Sequence, residues 1–355
     1  MEHGKISYIS TLDGERTEKE LREILEPGRI EDRDLERRID RLSERFRTYT
    51  KCYPYGLWAQ GLSFCVEMRN LTEVYLPMEE IVHAFDRLFS LSLIFTPIRA
   101  ASILHGSTGW LDFLQKIRPE VKRPEPANLL RGLMADEGDR RRFIFANFTP
   151  ASYGGGFGRY SGQTRFLAKW LEENRERLAG GVRCLDTACG TGEGTYDLAR
   201  LLVEKGFSSS SICVVGTSME PLELFAAAHA YFPHDPIRET GYRRSIGKLL
   251  DLGVFERMSF RLEVLGRGPV HKEERFDIIL CNGFLGGPFI HKKERIEETL
   301  DDLVGRLAPE GVLLATNRFH GGWTNLVSEE SLRGMLERCG LGLLPVADGV
   351  GGVRT

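Results

Sequence analysis

The sequence predicts an open α/β domain, a mostly parallel sheet with helices on both faces, preceded by a mainly helical amino-terminal half. Three observations predict it. Val182 to Leu202 reads as a buried strand, a glycine turn and a helix, the opening of a nucleotide-binding α/β unit. Apolar or β-branched runs recur after it at Ser211–Thr217, Met258–Leu265, Phe276–Cys281 and Gly311–Thr316, with helical patterns between them. The first 150 residues instead carry helical periodicity.

The opening unit is the most informative stretch. Val182, Cys184, Leu185 and Ala188 supply the strand, and Gly190, Gly192 and Gly194 supply the turn. Tyr196, Leu198, Ala199, Leu201 and Leu202 resume at helical spacing. A dinucleotide site has G-x-G-x-x-G, with the pyrophosphate resting on helix-terminal N–H groups. Here the spacing is G-x-G-x-G, with Glu193 between the last two glycines. A carboxylate there repels a pyrophosphate and suits a ligand bearing an ammonium group. S-adenosylmethionine (SAM) is such a ligand, with an amino group, a carboxylate, a sulfonium and no phosphate. The plain alternative for Glu193 is an acid in a helix's first turn, favoured by the dipole.

On these residues the stretch resembles the class I SAM-dependent methyltransferases, whose fold is Rossmann-like. The skeleton Ala188-Cys189-x-Thr191-Gly192-Glu193-x-x-Tyr196-x-Leu198-Ala199 is most similar to the chemotaxis-receptor (CheR-type) protein-glutamate methyltransferases. That family has Ser at Gly190 and usually Glu-Pro at Gly194-Thr195. The resemblance implies SAM contacts from Asp186, Ala188, Gly190, Thr191, Gly192 and Glu193. Phe157-Gly158-Arg159 looks like a degenerate copy of the family's aromatic-aromatic-arginine segment, which would put Arg159 near the methionine moiety and the acceptor. Phe276 to Cys281 followed by Asn282-Gly283 resembles the family's F-D-x-I-x-C-R-N, making Asn282 a polar group facing the methyl donor, with Gly283 beside it. Arg159 and Asn282 are the catalytic candidates. The family's ribose-binding Asp is Ser218 here, and Glu220 is the nearest carboxylate; the alternative for Glu220 is a helix-start acid beside Pro221. Val264-Leu265 falls where the family contacts adenine, leaving Leu265 a main-chain role. Tyr160, Phe284, His291 and His320 fall in regions expected to border an acceptor pocket.

Taken in order, Thr17–Glu26 reads as a helix with Thr17 and Glu20 spaced as a capping box and Pro27-Gly28 as its stop. Ile30–Arg47 continues with an apolar stripe and a salt-bridged face of alternating sign. Tyr53, Tyr55 and Trp58 read as packing anchors. Helices follow at Met78–Phe95, Ile98–His105, Trp110–Ile117 and Leu129–Phe148, with a loop at Pro119–Pro126. Thr149–Gly162, dense in glycine and hydroxyls, is either a linker or a substrate-side lid. Gln163–Leu178, Pro221–Tyr231, Ser245–Phe255, His291–Leu307 and Ser328–Cys339 are the remaining helices. A Pro-Glu-Gly turn precedes the Gly311–Thr316 strand, and Leu341–Val346 with the glycine-rich tail gives a closing hairpin. The expected domains are 1–150, helical, and 151–355, the methyltransferase.

A formal net charge of -3 gives no sign of a nucleic-acid or anionic-membrane partner. The 7 cysteines include no CxxC pair, so metal binding is not expected and a reducing, cytoplasmic setting is. No signal peptide and no membrane span are read. The resemblance implies methyl transfer to a protein carboxylate, which is ionised at neutral pH and needs no general base. Methylation of a small molecule is the alternative. A SAM-binding protein without activity is the third reading, since the family's Arg and Tyr near Asn282 are absent.

Overall fold

The computed structural model describes residues 6–52, 66–117, 124–150, 156–266, 273–287, 290–316 and 326–354. Tyr53, Tyr55, Trp58, His320 and most of the 119–126 loop lie outside these residues. The chain forms two compact units. One comprises Met1–Asp13, Ala151–Tyr231 and Thr240–Thr355; the other comprises Gly14–Pro150 and Phe232–Glu239.

The helical unit contains α1 (Gly14–Leu21), α2 (Arg33–Cys52), α3 (Val66–Tyr75), α4 (Met78–Ser92), α5 (Trp110–Lys116), α6 (Pro126–Ala135) and α7 (Glu137–Phe148). Its centre is aromatic. The Phe85 ring lies 5.4 Å from Phe143 and 6.1 Å from Trp110, both stacked. Three expectations change here. α1 begins at Gly14, so Thr17 sits buried inside the helix and does not cap it. The expected 98–105 helix shrinks to a single tight turn at Arg99–Ala101. The expected 129–148 helix is two, broken at Asp136, whose extended backbone (φ -115, ψ 115) ends α6 and whose carboxylate accepts the Asp139 N–H at 2.7 Å to start α7. Buried Arg140 then donates to the carbonyls of Leu133, Glu26 and Gly28, which satisfies backbone that the apolar surroundings cannot.

The other unit is built on β1 (Ser7–Ile9), β2 (Val182–Thr187), β3 (Ile212–Ser218), β4 (Met258–Leu262), β5 (Phe276–Asn282), β6 (Leu307–Thr316), β7 (Leu341–Leu344) and β8 (Val350–Arg354). Its helices are α8 (Ser161–Glu173), α9 (Glu193–Glu204), α10 (Pro221–His229), α11 (Pro236–Asp251, from Thr240 onward), α12 (Lys293–Gly305) and α13 (Glu329–Arg338). The sheet order is β1-β4-β3-β2-β5-β6-β8-β7. β2 through β6 pair in parallel, whereas β1, β8 and β7 pair antiparallel. This is the expected α/β, Rossmann-like class, mostly parallel and closed by the expected hairpin. Leu185, Val215, Ile279 and Leu313 form a row of register partners packed into one core with Leu300 and Leu303 of α12 and Leu332 and Leu336 of α13. Their sequence neighbours face the opposite layer, where the Tyr196 ring of α9 meets Phe260 of β4.

Strand β1 has no counterpart in the sequence reading; it lies along β4 with Tyr8 opposite Phe260. α11 starts nine residues earlier than the expected Ser245, since Asp235 accepts the Arg238 N–H ahead of Pro236. The Pro-Glu-Gly turn lies within β6, where Glu310 takes φ 59 and the pairing with β5 shifts register.

Candidate functional site

The strand order reverses between β2 and β5: the chain runs outward through β3 and β4, then returns to the other side of β2. In open α/β sheets the crevice at that reversal, beyond the carboxyl ends of the strands, is where ligands bind. Most of the sequence-derived residues stand there. Asp186 is the penultimate residue of β2, Ala188 to Gly192 form the turn, Ser218 ends adjacent β3, and Asn282 ends adjacent β5.

The turn has a strained, fully specified backbone. Ala188 (φ 54), Gly190 (φ 55) and Gly192 (φ 87) are all left-handed. A Cβ on Gly192 would meet the Ala227 Cβ at 2.8 Å and the Phe260 ring at 3.1 Å, so both conformation and space demand glycine there. Gly190, by contrast, faces open space, with nothing within 4 Å of where a Cβ would stand. Three contacts hold the turn: Cys189 N–H donates to the Thr217 carbonyl at 2.8 Å, Gly192 N–H to the Cys189 carbonyl at 3.0 Å, and the Tyr242 hydroxyl to the Thr191 carbonyl at 2.6 Å.

Acidic groups surround this turn. Glu193 opens α9 and is 4% exposed, and the Thr191 hydroxyl donates to its Oε2 at 2.8 Å. The Thr195 hydroxyl donates to Asp186 Oδ2 at 2.7 Å. Burial pushes the Asp186 carboxyl up to about 7, and the nearby Asp197 and Glu193 charges push the same way against the Thr195 hydrogen bond. Burial also raises Asp197, which accepts the Gly158 N–H at 2.5 Å. The Cys189 thiol is driven well above its ordinary range by burial.

At the end of β3, Glu220 stands at the entry to α10. It is buried, takes the position before α10, and its carboxylate accepts the Leu222 N–H at 3.4 Å. The acid that Ser218 presents is a different one: the Ser218 hydroxyl donates to Glu223 Oε2 at 2.7 Å. Glu223 is half-buried and close enough to raise the Cys189 thiol. At the end of β5, Asn282 is held by a reciprocal amide pair: its Nδ2 donates to Gln163 Oε1 at 2.8 Å, and Gln163 Nε2 donates to its Oδ1 at 2.9 Å. Gly283 (φ 68) turns the chain, donating to the Thr316 carbonyl.

Arg159 lies in the turn before α8, its guanidinium 5.1 Å from the Tyr160 ring centroid. In the same segment Phe157 packs edge-on against Tyr242 at 5.1 Å. Two acceptor-side candidates are placed differently from expectation. Phe284 is part of the hydrophobic core with Leu285 and Ile290, because the chain turns inward after Gly283. His291 is exposed ahead of α12. Leu265 is likewise a core side chain, so only its backbone is available.

Sequence reasoning missed Tyr242, Glu223, Thr195 and Gln163. Glu223 carried a signal, a carboxylate one helical turn past the strand-end serine. Tyr242 carried none, since its partner is a carbonyl fifty-one positions away. Among the described residues no group of three or more His, Cys, Asp or Glu is arranged to hold a metal ion. No helix among them is long and apolar enough to cross a membrane.

No protein-family model matches the sequence, and no curated protein matches it. Among solved structures the chain is similar to magnesium protoporphyrin IX methyltransferase from Synechocystis PCC 6803 with bound SAM (15% identity, 62% of this chain and 98% of that one, TM-score 0.37). It is similar to the N-methyltransferase NodS of Bradyrhizobium japonicum WM9 in complex with S-adenosyl-L-homocysteine (15% identity, 62% and 99%, TM-score 0.36). A third is an O-methyltransferase family protein from Burkholderia thailandensis (14% identity, 69% and 68%, TM-score 0.35).

Proposed function

We propose that this chain is a SAM-dependent methyltransferase that binds its cofactor at the turn after β2. The observation that carries this reading is the gathering of Asp186, Glu193 and Asp197 around the amino end of α9. A dinucleotide fold places a pyrophosphate there, and three carboxylates would repel it. A ligand with an ammonium group and no phosphate fits the same place, and the open space over Gly190 lets it approach the backbone. Glu193 would hold the amino end. Glu223, steadied by Ser218, would accept from ribose hydroxyls.

Bound SAM brings a methyl group already activated by the sulfonium. What the chain must then do is orient and shield, since alignment of acceptor, methyl and sulfur is the main requirement. The Gln163–Asn282 pair fixes the end of β5 beside the reversal point. Its amides are already committed to each other, which favours positioning over proton transfer as the role of Asn282.

The acceptor reading follows the same residues. The chemotaxis-receptor family carries a small β-subdomain between the elements that correspond here to α10 and β4. In this chain that interval holds α11 and a single tight turn at Phe255–Arg257, with no strand. This favours a small-molecule acceptor over a receptor carboxylate.

Calorimetry with S-adenosylhomocysteine tests the cofactor site: micromolar binding is expected, and no heat at millimolar ligand overturns the proposal. Glu193→Ala is expected to weaken that binding by about 1–3 kcal/mol, the scale of a lost charged hydrogen bond. Isotope-labelled SAM in a cell extract tests the acceptor. Label in the low-mass fraction is expected, and base-labile label on protein would restore the carboxylate reading.

A further inference from the structure

Residues 157–160 form a short turn ahead of α8, a strap that two contacts tie beside the turn after β2. The Gly158 N–H donates to Asp197 Oδ2 at 2.5 Å, and the Phe157 ring meets Tyr242 edge-on at 5.1 Å. Both partners belong to the proposed cofactor site. Tyr242 is the side chain whose hydroxyl holds the Thr191 carbonyl at 2.6 Å. Asp197 stands one helical turn beyond Glu193, on the same face of α9.

Asp197 divides its carboxylate between the strap and its own helix. Oδ2 takes the Gly158 N–H, while Oδ1 accepts from Arg200 Nη2. The same Arg200 guanidinium lies 5.9 Å from the Phe157 ring centroid, so one ion pair supports the strap at two points. Hydrogen bonds to an ionised carboxylate are about twice as strong as those to a neutral acceptor, and the latch therefore depends on Asp197 keeping its charge. Burial pushes the Asp197 carboxyl up, the Gly158 and Arg200 contacts pull it down, and the Glu193 charge pushes it up again. A positive charge set beside Glu193 offsets that last push and strengthens the ionised form that holds the strap.

We infer, on the basis of the proposed cofactor site, that Asp197 is a specificity-determining positioning residue: it tightens the strap of residues 157–160 when a ligand brings an ammonium group to Glu193. The site then retains ligands that carry the amino-acid end of SAM. A nucleoside without that end leaves the Glu193 charge in place and the strap no tighter than in the free chain.

The probes are S-adenosylhomocysteine and methylthioadenosine, which share the nucleoside and differ in the amino-acid end, each added to the full chain at saturation. Hydrogen exchange, read by mass spectrometry on peptides covering residues 157–160, should slow about tenfold with S-adenosylhomocysteine and stay at the free-chain rate with methylthioadenosine. Asp197→Ala should speed the same exchange about tenfold before any ligand is added, a test of the latch that needs no cofactor. Phe157→Ala leaves every carboxylate in place. It should weaken S-adenosylhomocysteine about fivefold by calorimetry and leave methylthioadenosine unchanged, with Phe157→Tyr restoring the wild-type ratio. Equal protection by the two ligands overturns the role of Asp197, as does exchange that Asp197→Ala leaves unaltered, or an equal loss of both ligands in Phe157→Ala. Heat of S-adenosylhomocysteine binding without any change at the strap defeats the latch alone. Absence of that heat removes the cofactor site and the latch with it, so the two failures are distinguishable.

Discussion

Replacing Asp186 by Asn removes one ionisable proton from the centre of the proposed cofactor site and changes little else. The amide oxygen can still accept from Thr195, as Oδ2 does at 2.7 Å. The wild-type carboxyl is raised from 3.8 to about 7, chiefly by burial. The folded chain therefore holds this proton more tightly than the unfolded chain. The resulting stability is fully present below about pH 4 and is withdrawn as pH rises to about 7. At about 1.4 kcal/mol per pH unit, a shift of roughly three units corresponds to at most about 4 kcal/mol lost by pH 8. The Asp186→Asn protein carries no such penalty. Urea unfolding of both proteins between pH 5 and pH 8.5 should show the variant gaining on the wild type across the interval and levelling off above pH 7. Ligand binding should move oppositely. A ligand ammonium favours the ionised carboxylate, so S-adenosylhomocysteine should bind wild type more tightly at pH 8 than at pH 6, with the variant nearly flat. Parallel stability curves for the two proteins would refute the burial of an ionisable proton at this position.

Gly192→Ala must place a side chain at φ 87 and a Cβ 2.8 Å from that of Ala227. A loss of about 1–3 kcal/mol should appear as a lower urea midpoint, with weakened S-adenosylhomocysteine binding even where the protein stays folded. Glu223→Gln should weaken the same ligand by about 1–3 kcal/mol, while Glu220→Gln should act on stability more than on calorimetric affinity; the reverse ranking would return the ribose contact to Glu220.

The glycine turn was legible because one short stretch encodes it: strand, left-handed backbone and helix are local consequences of residue type. The same holds for Ser328, whose hydroxyl accepts the Ser331 N–H and starts α13 within a position of its expected place. Elements decided by distant partners were not legible. Ser7–Ile9 is a strand because β4 offers an edge, and three residues carry too little pattern to announce it. The start of α11 carries a local signal in Asp235-Pro236, an acid that accepts the Arg238 N–H followed by a helix-entry proline. In the proposed site, Glu193 is readable from its position between two glycines, whereas Thr191 enters only through the family resemblance. The choice between Glu220 and Glu223 depends on which carboxylate the α10 entry spends on capping, and only three-dimensional geometry decides that.

The turn after β2 has a bearing on how the protein comes to life on the ribosome. Its shape is held by the carbonyl of Thr217 and the hydroxyl of Tyr242, with Ala227 closing in beside Gly192. A nascent chain that has emerged only through α9 possesses every glycine of the motif and none of these braces. Capture of the proposed cofactor would therefore wait until α11 has been made, and an excised strand–turn–helix peptide should be blind to it.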